Sequence, residues 1–282
     1  QVSGELGFFG GLDNTCSTDF SIIAGEGNSV TADHGTAFGK SNSVTGQYST
    51  AMGVDTIASG VTSFAAGFTA LASGGNSVAM GSNPIASNTG AVALGVTVTA
   101  SGEKSFASGL DTVASGLAST AMGNDSEASG INSFAAGKAN IASGNQSTAF
   151  GQGSESSGNF SISWGEGSQA IGDYSTAGGD SCEAKGNKSV ALGDQTLTEK
   201  DGGISLGTKT QSLDNYDVAI GDGAIAQGEN SVSIGKDTNA TGFKSMALVD
   251  SSVASGETLG RKIIDAICEI KYLEINMTGG DC

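Results

Sequence analysis

The chain has 282 residues, 46 of them glycine, with 12 Lys plus Arg against 29 Asp plus Glu and a formal net charge of −17. Such a surface repels nucleic acid and anionic membranes, so neither is expected as a partner. No run of 18 apolar residues exists, so no membrane insertion is expected within the chain.

Glycine, serine, threonine and asparagine at this density would suggest a flexible linker, but a strict period overrules that. The phrase Ser77-Val78-Ala79-Met80-Gly81 returns every 14 residues from Gly11 to Gly235 without insertion or deletion. With Ser63 as position 1 and Asn76 as position 14, 18 units run from Gly7 to Thr258. Position 5 is glycine in 17 of them. After Gly11 the column runs Gly25, Gly39, Gly53, Gly67, Gly81, Gly95, Gly109, Gly123, Gly137, Gly151, Gly165, Gly179, Gly193, Gly207, Gly221 and Gly235, and only Val249 breaks it. A second glycine column, filled in 13 of 18 units, stands at position 12 (Gly46, Gly60, Gly74 and onward), and position 3 is alanine in 13. Self-similarity at a fixed short period marks a solenoid, which grows by nearest-neighbour stacking and needs no single large core. One elongated domain over residues 7–258 is expected, between a lead-in at 1–6 and a distinct element at 259–282.

Within a unit, larger apolar groups such as Val78 and Met80 or Val190 and Leu192 sit at positions 2 and 4, with Ser and Ala at 1 and 3. A period of two is that of a strand. The glycine columns fall where strand runs end and are expected to supply the φ > 0 conformations of tight reversals. Each unit then closes one coil, and like positions stack about 4.8 Å apart. The expected fold class is all-β, a β-solenoid of about 18 coils.

Gln1 opens the chain with no charged-then-apolar signal segment, as expected of a processed extracellular product, a fragment being the alternative. Phe8, Phe9, Leu12 and Phe20 at the first coil read as a cap over the exposed end or as a contact surface. Pro84 falls in a turn, where it removes no strand hydrogen bond. Trp164 stands at position 4, read as a core column, and Gly178 one coil later makes room for it. From Leu197 to Tyr216 the pattern loosens: Lys200 and Asp214 replace the position-12 glycine, and Thr198 to Gly203 is the most polar stretch of the repeats. Its length is kept, so the coil is expected to survive with an altered turn, either a decorated corner or a specific contact. In the tail, Ile263, Ile267 and Ile270 would share one side of a helix, whereas Ile270 to Met277, with Leu273, suits a strand. Either form shows more apolar surface than an exposed tail keeps in water, which implies burial against other copies or the solenoid end.

No catalytic constellation stands out, so no enzymatic activity and no cofactor are expected. His34, beside Asp33 at a turn, reads as solvated. Asp111 and Asp125 share position 7 in adjacent coils; stacked carboxylates repel unless a cation or water lies between, and calcium is the metal such oxygens would take. The solvated reading of that pair is preferred. Asn124, Asn145, Asn159, Asn187, Asn239 and Asn276 begin glycosylation sequons, which chance alone supplies in so polar a chain.

The phrases Ser77-Val78-Ala79-Met80-Gly81 and Asn187-Lys188-Ser189-Val190-Ala191-Leu192-Gly193, with Ala at position 10 and Gly at position 12, resemble the head repeats of YadA-type trimeric autotransporter adhesins. Similar repeats occur in viral and phage fibres. The resemblance covers Gly7 to Thr258 and implies a left-handed parallel β-roll, a side-by-side homotrimer and an extracellular adhesive role at the tip of a cell-surface fibre, toward a host or surface receptor. Family members continue into a neck, a coiled-coil stalk and a membrane anchor, and Leu259 to Met277 could at most begin a neck. The alternative is therefore the subunit of a soluble fibre or an end-to-end filament, jointed by the tail.

An even number of cysteines in an exported chain suggests disulfides, with connectivity open. Three copies of one cysteine around a three-fold axis cannot all pair among themselves. Cys268 with Cys282 of a neighbour would close a ring of three bridges, whereas Cys16 with a tail cysteine of the next subunit would lock a filament axially. Cys16 as a free, packed core residue is the other reading.

Overall fold

The computed structural model describes residues 7–255. Ile263, Ile267, Ile270, Leu273, Cys268 and Cys282 lie outside the described residues. The fold is an all-β parallel solenoid of about 18 coils with a 14-residue repeat, and the described residues contain no helix. Two compact units divide it, Gln1–Phe160 and Ser161–Cys282. The division falls between position 14 of one coil and position 1 of the next, so both units keep the same ruler.

Every coil but the last contributes one long strand over positions 2–6, such as Phe64–Phe68, and every coil one two-residue strand over positions 9–10, such as Leu71–Ala72. In the first unit Val78, Ala79, Met80, Gly81 and Ser82 register with Val92, Ala93, Leu94, Gly95 and Val96 of the following coil. In the second, Val190 to Asp194 register with Ile204 to Thr208 in the same way. Position therefore fixes neighbours: a side chain meets the residues 14 before and 14 after it.

The interior is made of small residues. In the coil from Ser63 to Asn76, Ser63, Ala65, Ala70 and Ala72 are buried and Gly74 joins them, while Phe64 and Leu71 are only half-buried and Phe68 is exposed. Positions 1, 3, 8, 10 and 12 thus point inward, and the large apolar groups of positions 2 and 4 point out. Trp164 corrects the sequence reading in this respect. It lies half-buried on the outer face, not in a core column. Gly178 does make room for it: a Cβ there would stand 2.1 Å from the Trp164 ring.

The glycine columns act differently from the expectation. Position 5 lies inside the long strand, and Gly67 has φ of +123° with the carbonyl oxygen of Gly81 2.0 Å from where a Cβ would stand. Position 12 needs no positive φ. At Gly60 the constraint is space alone, since a Cβ would lie 1.9 Å from the Gly74 oxygen. The left-handed turns fall instead at positions 7 and 14, on residues such as Asp111 (φ 53°), Asp125 (φ 53°), His34 (φ 60°) and Tyr216 (φ 58°). Val249, which breaks the position-5 column, is held at φ 97°. A β-branched residue is strained there, and the last long strand stops one residue earlier, at Met246–Leu248.

A buried ladder that the sequence reading missed braces the first coils at position 8. The Asn14 Oδ1 accepts from the Asn28 backbone N–H at 2.9 Å and Asn28 Oδ1 from that of Asn42 at 3.0 Å. The Asn42 Nδ2 donates to the Gly53 carbonyl at 3.0 Å. These bonds satisfy backbone groups that the turn leaves outside the strand ladder. Asparagines 14 residues apart were the available signal.

Candidate interaction surfaces

The first surface is the outer face of the long strands. Strand alternation leaves positions 2 and 4 on the outside of the coil, and Met52, Met80, Met122 and Phe150 of the first unit are exposed there. Ile162 and Ile234 continue the pattern in the second. Exposed apolar side chains recurring down one face make it a candidate interaction surface.

The ends of the chain sort the residues read as a cap. Phe9 is partly buried and packs against the core cluster, whereas Phe8 is 66 % and Leu12 70 % exposed. Phe20 is not part of the cap. It stacks on His34 with ring centroids 5.2 Å apart, and His34 in turn meets Tyr48 at 4.7 Å. All three rings stand at position 14 of adjacent coils, so His34 is exposed yet held between two aromatic faces, where the sequence suggested plain solvation.

The corresponding corner of the second unit is the loosened stretch singled out by Thr198 to Gly203. The coil survives there, with strands Leu197–Thr198 and Ile204–Thr208. A cavity of about 340 Å³ opens at this corner, walled by Tyr174 and Tyr216 with Lys188 and Gly202 between them at position 14. Its floor is a second side-chain ladder, at position 13. The Asn187 Oδ1 accepts from the Asp173 N–H at 2.9 Å, and Asp201 Oδ1 from the Asn187 N–H at 2.8 Å. Asn145 and Asn159 do the same in the first unit, toward Ile131 and Asn145. Three sequon asparagines are therefore engaged through their carbonyl oxygens.

The structure places the other singled-out residues apart from these corners. Asp111 and Asp125 are exposed at the left-handed position 7, and no group of three or more metal-ligating side chains occurs among the described residues. Cys16 and Cys182 are buried free thiols, at interior positions 10 and 8. The Cys16 Sγ donates to the Thr18 carbonyl at 3.4 Å.

Two charged groups are perturbed. Asp217 occupies the interior position 1 normally held by serine, and burial holds its carboxyl above the usual range, partly offset by bonds from Ser231 and the Asp214 N–H. Lys185 is raised by its hydrogen bond to Glu183 at 2.9 Å and by Glu199 at 3.2 Å.

No curated protein matches the chain significantly. The sequence profile described as the YadA head domain repeat (2 copies) matches residues 31–56, 58–83, 86–112, 114–140, 142–163, 184–210 and 215–238. That family is one of structural adhesin domains and not of enzymes. With its profile matched over more than half of the residues, on a parallel solenoid of the same repeat, the chain belongs to the YadA head domain repeat family.

Proposed function

We propose that the protein is a non-enzymatic adhesin head, in which three chains pack side by side through the outer faces of their long strands and present their corners to an extracellular receptor. The observation that carries this reading is the inversion of the usual pattern. Ala and Ser fill the coil, while Met, Phe, Ile and Val at positions 2 and 4 remain outside it. Apolar side chains each worth about 1.5–3 kcal/mol on burial gain that free energy only when another copy covers them. Heads of this family generally form trimers and are cell-surface exposed, which supports the same assembly and location here.

Sedimentation at several concentrations tests the assembly. A trimer is expected, and a stable folded monomer would overturn it. Beads coated with the protein test adhesion, with retention on mammalian cells or extracellular matrix as the expected result. Particles longer than a trimer would support the alternative reading, a filament subunit.

A further inference from the structure

We propose that the corner groove of the second unit binds a neutral oligosaccharide. The inference rests on the adhesive reading and gives the receptor a chemistry. Its walls are two phenol rings, with Tyr174 56 % and Tyr216 62 % exposed. A tyrosine offers a flat apolar face, which suits the C–H face of a pyranose, and a hydroxyl at its edge that both donates and accepts.

The floor supplies oriented polar groups. Asn187 and Asp201 are already pinned by the position-13 ladder, and the Asn187 Nδ2 donates to Asp201 Oδ2 at 3.4 Å. Each ladder oxygen keeps a second lone pair, so acceptors for sugar hydroxyls are fixed before a ligand arrives, which lowers the ordering cost of binding. Lys188 adds a donor. The volume of about 340 Å³ falls at the lower end of small-ligand sites.

The lining also decides against other ligands. Asp173 and Asp201 outnumber Lys188, which disfavours an anion, and no aliphatic side chain lines the groove to receive an apolar peptide residue. A neutral polyol is what remains.

Gly202 creates the slot. It stands at position 14 with φ of +65°, and the Tyr216 ring leans over it, 2.6 Å from where its Cβ would be. In the first unit the same position in the middle coil is His34, and the rings close on one another. Gly202→His should therefore convert the groove into a filled stack on a backbone that already carries His34 and Tyr48 in the same left-handed conformation.

Isothermal titration of the full chain with cellotetraose, chitotetraose and linear galactotetraose, and with sialyllactose as an anionic comparison, tests the proposal. Saturable binding of at least one neutral tetrasaccharide is expected, weakened about tenfold by Tyr174→Ala or Tyr216→Ala. Gly202→His should abolish it, Tyr48→Ala should leave it unchanged, and circular dichroism should show the same β content in every variant. Absence of binding by all three neutral tetrasaccharides, tighter binding of sialyllactose, or undiminished binding by Gly202→His would each overturn the proposal. Coated-bead adhesion separates its failure from that of the adhesive reading. Beads that adhere equally with wild type and Gly202→His would sink the groove alone, and saccharide binding without bead adhesion would sink the adhesin alone.

Discussion

Phe20, His34 and Tyr48 occupy the same ruler position as Tyr174, Lys188, Gly202 and Tyr216, yet the first run stacks on itself and the second stands open around a cavity. The backbone is the same at both corners, with φ near 60° at Phe20, His34, Tyr48, Tyr174 and Tyr216. What differs is only which side chain the intervening coils supply. In a parallel in-register solenoid each surface column is written one residue per coil, so Lys188 and Gly202 standing where a ring would stack leave a slot between Tyr174 and Tyr216. Position 6 repeats the lesson. The first unit places Val54, Phe68, Val96 and Leu110 there, and the second Glu166, Asp180, Asp194 and Asp222. The same column also carries the Glu26–Lys40 ion pair in the first coils, so its character changes coil by coil on one frame.

The largest expected effect comes from breaking the frame that both corners share. Gly60→Ala drives a Cβ to 1.9 Å from the Gly74 oxygen, and Gly172→Ala does the same at 2.1 Å from that of Gly186. Because the obstacle is backbone, the coils must part, at a cost of about 3 kcal/mol in each unit by denaturant melts. Equal destabilisation at the two sites would show that the corners differ by side chain alone. A much smaller cost in the second unit, where Lys200 and Asp214 already fill position 12, would mean that its frame is looser.

A smaller effect isolates the closed corner. His34→Ala removes the middle ring of the stack and should cost about 1 kcal/mol, while leaving any ligand binding at the Tyr174–Tyr216 groove untouched. Spectroscopically, Gly178→Ala is a third probe. The added methyl displaces the Trp164 ring, so the emission of the chain's one tryptophan should shift, with a cost of roughly 1 kcal/mol. Unchanged emission would mean that the ring does not lie over Gly178.

Strand, period and coil were legible because a 14-residue repeat leaves few alternatives, and the loosened stretch at Thr198 to Gly203 pointed to the corner that proves to hold the cavity. The direction of the faces was not legible. Large apolar residues at positions 2 and 4 look like core under the ordinary rule, yet the inward places of the alternation fall to Ser and Ala at positions 1 and 3. The role of the glycines was half legible, since Gly67 combines positive φ with close approach whereas Gly60 shows close approach alone. Contacts between coils, such as the Asn14–Asn28–Asn42 ladder and the Phe20–His34–Tyr48 stack, were written in the columns but required reading each column vertically.

The smallest expected effect concerns the interior just behind the open corner. Asp217 follows Tyr216 directly and is buried at interior position 1, which Gly203 and Ser231 hold in the adjacent coils. Its Oδ1 accepts from the Ser231 N–H at 2.8 Å and the Ser231 hydroxyl at 3.0 Å, yet burial outweighs these bonds and holds the carboxyl above the usual carboxylate range. A carboxyl raised in the folded state binds its proton more tightly there than in the unfolded chain. Its contribution to stability is therefore fully present below the unfolded pKa and is lost as pH rises through the folded value, the reverse of a salt-bridged carboxylate. Asp217→Ser should accordingly raise the melting stability at pH 7 by roughly half a kcal/mol, and the gain should fade as the pH is lowered past the folded pKa toward that of a free carboxyl. The matching substitution at the closed corner, Ser49→Asp behind Tyr48, should impose the same neutral-pH penalty on the first unit. If Asp217→Ser instead destabilises at pH 7, the bonds from Ser231 and Asp214 outweigh the burial, and the charge behind Tyr216 is a brace for the groove wall.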